Sequence, residues 1–359
     1  MFIRANLPQN NYLLVKIDFI IVGQGIAGTL LGLELMNRGY EIRIFDPCSN
    51  DTSSNKAAGL YNPITGRKMV KTWLADELFD GLPEFYTGLE QKLGTSFHQS
   101  IPIYRPFFSI EEQNDWNAKG QEDQYSVYIK QIHQKPTGVS ELLDEFGGLE
   151  LAKTGFVDLP VLIEAARNYF TEKGVFEPSA IDSDELQFSE VVTYKNFTAD
   201  KIVFSDGTFF NQNVFWKNLP FKPVRGEIID IACDLPPDRI YNRGVFMLPK
   251  NGLFRIGSTY DHELLSFEPQ QKGIEELQRR MTKLFSGKYE LISASAGVRP
   301  ATHDRRPYIG WHPENKAVGI FNGFGTKGVS LVPYFSKLFI DSFEGTAEFL
   351  PEADVSRVF

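Results

Sequence analysis

The sequence predicts an α/β fold carrying a second, α+β part, and three observations support this. A glycine-broken apolar run, IDFIIVGQGIAGTLLGLEL at residues 17–35, joins a strand pattern to a helix pattern. A further strand, YEIRIFDP, completes a βαβ unit within roughly 30 residues. Beyond residue 190, short β-branched runs recur at hairpin spacing, as in an antiparallel sheet.

Taken in order, KIDFIIVG reads as a buried strand and IAGTLLGLELMNRG as a helix. Residues 51–80 begin as a small-residue polar loop and pass into a helix. The more polar region 81–150 holds helical pieces at FYTGLEQKLG and SIEEQNDWNAKG. In residues 155–174, Asp158 is placed to cap an amphipathic helix that stops at Gly174. Then come VVTYKNFTA, KIVFSDGTFF with a DG turn, and NVFW. VRGEIIDIAC, GVFMLPKN and LFRIGSTY form a second strand set, followed by a helix at about 270–286. The last stretch reads as loop, strand, glycine turn and apolar helix. This order predicts a discontinuous nucleotide domain (16–80, 150–220, 290–359), a substrate domain (81–149, 221–289) and an N-terminal extension over 1–15.

Composition narrows the function. With 42% hydrophobic and 23% charged residues, the chain has the balance of a globular protein. A net charge of -9 disfavours non-specific attraction to nucleic acid or anionic membrane. Cys48 and Cys233 are too few and too far apart for a disulfide framework or a zinc site, and the five histidines show no ligand spacing, so no metal is expected. The first 15 residues lack signal-peptide features, and no apolar run is long enough to span a membrane, so the cytoplasm is the expected location.

The chemistry is expected at two glycine turns. Gly23, Gly25 and Gly28 form GxGxxG between strand and helix: a tight turn, a close backbone approach to pyrophosphate, and close helix–strand packing. Asp46 ends the next strand, where a carboxylate accepts ribose hydroxyls and repels the 2′-phosphate of NADP. NAD and FAD both remain. Gly323, Gly325 and Gly328 precede the last helix and suit either a second electron-rich group or a plain strand-to-helix turn. Arg299, between small residues and a proline, reads equally as a bidentate carboxylate clamp or as a surface ion pair. Asp304, Arg305 and Arg306 read as a solvated turn.

Together, IIVGQGIAG, IRIFDP, TSSNKAAGLYNP, TGFVDLPVLIEAARNYF, PVRGEI, GVFMLPKNGLFRIGST, AGVRPATHDRRPYIG and NGFGTKGVSL resemble the D-amino-acid oxidase superfamily of FAD-dependent oxidoreductases. Glycine oxidase, sarcosine oxidase and the oxidase domain of a tRNA wobble-uridine-modifying enzyme are members, and AAGLYNP and GTKGV look closest to the last. The likeness spans nearly the whole chain, though the methyltransferase part of that tRNA enzyme has no counterpart here. It implies a Rossmann-like FAD-binding domain interleaved with an antiparallel substrate domain. It also implies oxidation of a C–N bond in an amino acid or secondary amine, with a tRNA-modifying oxidase or a non-catalytic flavoprotein subunit as the alternatives. By the same resemblance FAD would contact Gly23, Gln24, Gly25, Ile26, Ala27, Gly28, Phe45, Asp46, Pro47, Ser53, Ser54, Ala58, Gly59 and Leu60. Gly323, Gly325, Thr326, Lys327, Gly328 and Val329 would approach the flavin edge. Arg299 would hold a substrate carboxylate and also contact FAD, Lys327 would stabilise charge on reduced flavin, and Phe246 and Tyr61 would line the substrate pocket. Two departures stand out. Phe246 replaces a carboxylate-binding tyrosine. The family's small-x-glycine turn is not found after FFNQNVF, as though the loop were shortened or residues were lost near Phe215.

Overall fold

The computed structural model describes residues 14–66 and 69–359, so nearly all of the expected N-terminal extension lies outside the described residues. The fold is α/β with an antiparallel second part. Its nucleotide half is built on five parallel strands in the order Phe176–Glu177, Ile42–Phe45, Val15–Val22, Phe197–Phe204 and Val318–Asn322. Phe19, Ile20 and Ile21 are fully buried in the Val15–Val22 strand, which explains its continuous apolar run. Helix Ile26–Asn37 is apolar nearly all round because it is sandwiched against the sheet and helix Gly328–Phe343.

The second half is an eight-stranded sheet in the order Tyr289–Arg299, Val224–Cys233, Leu253–Gly257, Phe246–Lys250, Ile240–Asn242, Ile103–Pro106, Gly148–Leu151 and Ile129–His133. All neighbours are antiparallel except Ile240–Asn242 with Ile103–Pro106. The boundaries expected at 150 and 290 are therefore displaced. Gly148–Leu151 and the whole of Tyr289–Arg299 belong to this sheet, the latter paired with Val224–Cys233 over its full length. One apolar cluster runs through both halves, from Phe19 and Leu30 to Ile103, Leu149 and Leu248.

The DG sequence is not a hairpin turn. The hairpin closes earlier, at Lys195 and Asn196, between strands Val192–Tyr194 and Phe197–Phe204, with Lys195 at φ +52°. Phe197–Phe204 then runs parallel to Val15–Val22 and ends at Ser205, Asp206 and Gly207. That is the small-x-glycine turn expected ten residues later. From there the chain continues to Phe221 through consecutive hydrogen-bonded turns, such as Trp216 N to Asn213 O at 3.3 Å. Reading the DG as a hairpin had hidden the turn, because a strand followed by Asp-Gly gives the same local pattern in both cases.

Helix Leu159–Glu172 stops where expected, with Gly174 at φ +68°, but Asp158 does not cap it. Its carboxylate instead pairs with Lys250 at 2.8 Å. Among the described residues no helix is long and apolar enough to cross a membrane. Gly88, exposed in helix Leu82–Leu93, has no atom within 4 Å of where a Cβ would sit. Gly88→Ala should therefore stabilise the protein by about 0.5–1 kcal/mol in chemical denaturation, through helix propensity alone.

Candidate functional site

The three glycines of the first turn are required for three different reasons. Gly23 sits at φ +95°, and a Cβ there would stand 2.6 Å from the Ser205 carbonyl oxygen. Gly25 is the N-cap of helix Ile26–Asn37, and a Cβ there would be 3.1 Å from Ser54 Oγ. Gly28 packs so closely that its Cβ would lie 1.9 Å from the Gly23 carbonyl oxygen. The helix has no acidic residue in its first turn and no capping side chain from Gly25, leaving its positive end open to an anion.

Asp46 closes this turn, with Oδ2 accepting from Gln24 N and Oδ1 from Cys48 N, both at 2.7 Å. Ser54 Oγ accepts from Ile26 N at 3.1 Å, and Ser53 Oγ donates to Val298 O, tying the short helix Ser53–Lys56 to strand Tyr289–Arg299. Gly59, at φ +73°, packs against the Val157 carbonyl.

These elements open on one cleft of about 1810 Å³ between the two sheets. That exceeds the roughly 300–1,000 Å³ of common small-molecule sites, as an extended dinucleotide with a substrate beside it requires. The cleft is lined by Gly23, Gly25, Ile26, Ala27, Phe45, Asp46, Pro47, Ser53, Ser54, Ala58, Gly59, Leu60 and Tyr61, with Phe246 and Arg299 from the second sheet. Gly323, Gly325, Thr326, Lys327, Gly328 and Val329 also reach it.

Two expected residues do not. Gln24 is buried and donates to Ile163 O at 2.9 Å while accepting from Arg167 Nε at 2.8 Å. Gly28 acts through packing alone. Two others reach the lining with their polar or aromatic ends committed elsewhere. The Phe45 ring packs on Tyr194 and Phe197 in the core. The Tyr61 hydroxyl, whose pKa burial pushes up to about 12, is held by His98 at 2.8 Å, so it is not offered to a substrate.

Arg299 ends its strand inside the cleft. Its Nη2 donates to Ser258 Oγ at 2.7 Å, and its guanidinium stands 5.0 Å from the Tyr260 ring centroid. Gly226 makes room for it, since a Cβ there would be 2.6 Å from Nη2. Among the described residues no carboxylate lies within 4.0 Å of this guanidinium. The segment that carries Ser258 is stapled by a fully buried pair, Arg225 and Glu227. Arg225 donates to the carbonyls of Ser266 and Glu268, and Glu227 accepts from Thr259 Oγ1.

Several cleft residues were missed from sequence. Asp206 is half-buried, and Asn213 Nδ2 and Asn322 Nδ2 donate to it at 3.0 and 2.9 Å, so it ties the Ser205–Gly207 turn to the second glycine turn. Burial raises its pKa to about 6. The neighbouring Ser205 Oγ is buried without a partner on the same wall. Asp304 and Arg305 are exposed in a turn, as expected, yet Arg305 and the half-buried Arg306 also line the cleft, and after burial they are what depresses the Lys327 pKa. Arg306 stacks over Trp73 at 4.2 Å. The signal available was the serine-aspartate-glycine after KIVF.

An acid whose folded pKa exceeds its unfolded one holds its proton more tightly when folded. The stabilisation from Asp206 is thus complete below about pH 4 and lost as pH rises through about 6. Asp206→Asn should flatten this fall in urea midpoint between pH 4 and 6. An unchanged slope would contradict the assignment.

A parallel sheet with a glycine turn at the carboxyl ends of its strands, facing an antiparallel sheet across a long cleft, defines a two-part dinucleotide-binding oxidoreductase. The chain belongs to the family described as DAO, FAD dependent oxidoreductase, whose sequence model matches residues 18–342. It is 24% identical over 360 residues to a glycine oxidase of Geobacillus kaustophilus (strain HTA426), covering 92% of this chain and 93% of that one. The crystal structure of glycine oxidase from Geobacillus kaustophilus superposes with a TM-score of 0.75 at 21% identity, covering 94% of this chain and 98% of the other. Iminodiacetate oxidase from Chelativorans sp. BNC1 gives 0.76 at 17% identity, covering 95% and 98%. FAD is therefore the cofactor, and the cleft fits it: a helix N-terminus with no acidic residue in its first turn for the pyrophosphate, a glycine cradle, and the unpartnered Ser205 hydroxyl.

Proposed function

We propose that the protein oxidises the C–N bond of an amino acid or related secondary amine. The observation that carries this is Arg299, a cation set inside an FAD cleft, aimed by Ser258 and left without an acidic partner among the described residues. A substrate carboxylate would supply the missing counter-charge in bidentate form. On this reading Gly23, Gly25, Ile26 and Ala27 hold the pyrophosphate, Asp46 the ribose, and Ser53 to Leu60 with Gly323 to Val329 flank the flavin. Held there, FAD would supply the two-electron oxidation, taking up the hydride from the carbon next to nitrogen, and water would hydrolyse the resulting imine.

The chain's own contribution is orientation and charge. Arg299 fixes the acid end, and Phe246, packed against Gly257, offers an apolar wall that cannot donate a hydrogen bond. Lys327, held near Thr72 Oγ1 at 3.5 Å, places a cation where negative charge develops. A neutral amine needs no general base. A second reading, oxidation of a modified base in tRNA, is favoured by one observation. Asp46 and Asp206 are the only acidic residues on the described lining, against eleven lysines and arginines, in a chain of net charge -9.

The test is an anaerobic screen of glycine, sarcosine, proline and D-amino acids for bleaching of the bound flavin. Bleaching by at least one supports the reading. Bleaching by none, with reduction by a tRNA bearing a modified wobble uridine, replaces it with the second.

A further inference from the structure

The excess of positive charge in the cleft is not confined to the FAD half. Ser258 links two arginines: its hydroxyl accepts from Arg299 Nη2 at 2.7 Å, and its carbonyl accepts from Arg280 Nη1 at 3.0 Å. Arg280 also donates to Gly244 O, next to Arg243. The Arg243 guanidinium stacks 4.3 Å over the Phe108 ring, and its Nε is buried without a partner. Lys283 stands exposed nearby, and all of these groups line the same cleft. Arg280 has a weak counter-charge in Glu276 at 3.4 Å, whereas Arg243 and Lys283 have no ion pair among the described residues.

FAD phosphates do not account for this row. Arg243 follows strand Ile240–Asn242, and Arg280 and Lys283 lie in and just after helix Gln271–Met281, all in the antiparallel half. The glycine turns suited to pyrophosphate lie at the ends of the parallel strands. Like charges gathered in a cleft repel unless an anion joins them.

Resting on the reading of Arg299 as the carboxylate clamp, we propose that the substrate amine carries a second anionic group, seated on Arg280 and Arg243. That group is a carboxylate or a phosphate, the two anions a planar guanidinium grips in bidentate form. Arg299 holds one end of the molecule, this ledge holds the other, and Lys283 screens the open side. The amine between them is thereby aligned along the cleft rather than free to pivot about a single clamp.

The experiment titrates the purified FAD holoenzyme and follows the flavin absorbance. The one-anion ligands are acetate and propionate; the two-anion ligands are malonate, succinate, glutarate and 2-phosphoglycolate. At least one two-anion ligand should bind about tenfold or more tighter than propionate, the scale of a charge-assisted bidentate contact. The best ligand tells carboxylate from phosphate. In Arg243→Ala and Arg280→Met, each checked for flavin content, that ratio should fall towards one. Lys283→Ala, an exposed change with little bearing on folding, should lower it less.

Equal affinities in the parent protein overturn the proposal, as does a preference that survives in all three variants. Tight binding of a short single-stranded RNA with no preference among the small ligands also overturns it, in favour of a polyanion track. If instead no monocarboxylate perturbs the flavin, or Arg299→Ala binds propionate as the parent does, it is the clamp itself that fails.

Discussion

Gly28→Ala should yield a protein without bound FAD. The new methyl group would stand 1.9 Å from the Gly23 carbonyl oxygen, and that atom belongs to backbone held by the Ser205 turn on its other side. Neither neighbour is a flexible side-chain end, so the helix must lift from the strand. Overpacking of this kind costs about 1–3 kcal/mol, and more where backbone is the obstacle. The helix N-terminus moves with it, and the pyrophosphate site loses its alignment. The measurement is flavin absorbance per protein after gel filtration, with circular dichroism to report folding. A yellow Gly28→Ala protein with parental stability would show that this contact is not what shapes the turn.

Arg299→Ala is expected to have the second large effect. Removing one partner of a buried charge-assisted pair costs about 2–5 kcal/mol, so affinity for a carboxylate substrate should drop at least thirtyfold. Flavin content should survive, because the guanidinium is held by Ser258 and Tyr260 in the substrate half rather than by either glycine turn. Arg299→Lys should recover only part of the loss, since an ammonium lacks the planar fork. The readouts are KM for the best substrate and Kd for a monocarboxylate. Parental values in Arg299→Ala would remove Arg299 from the substrate site.

What the sequence made legible follows from how local each signal is. GxGxxG with Asp46 eighteen residues after Gly28 is a short-range pattern whose geometry is set by φ angles and close contacts within one βαβ unit. The second glycine turn was legible for the same reason. Gln24 was misplaced because its side chain answers to Ile163 and Arg167, more than a hundred residues away. Tyr61 lines the cleft as expected, but no local pattern shows that His98 claims its hydroxyl. Asp206 was missed because a strand ending in Asp-Gly reads as a hairpin until Val318–Asn322 is known to lie beside it. The cleft role of Arg306 was not legible because nothing local shows that Lys327 and Trp73 face it.

The pairing of Phe197–Phe204 with both Val15–Val22 and Val318–Asn322 also dictates an order of events during synthesis. Val15–Val22, the first strand of the sheet to emerge, waits about 180 residues for Phe197–Phe204, which in turn waits for Val318–Asn322. Contacts so distant in sequence carry a high loop-closure cost and form slowly. A nascent chain stopped before residue 318 would have its first glycine turn but no completed sheet, and no turn at Gly323 to close the cleft. Capture of the cofactor thus waits until residues 318–328 have been made, and FAD in the medium can act on yield only from that point on.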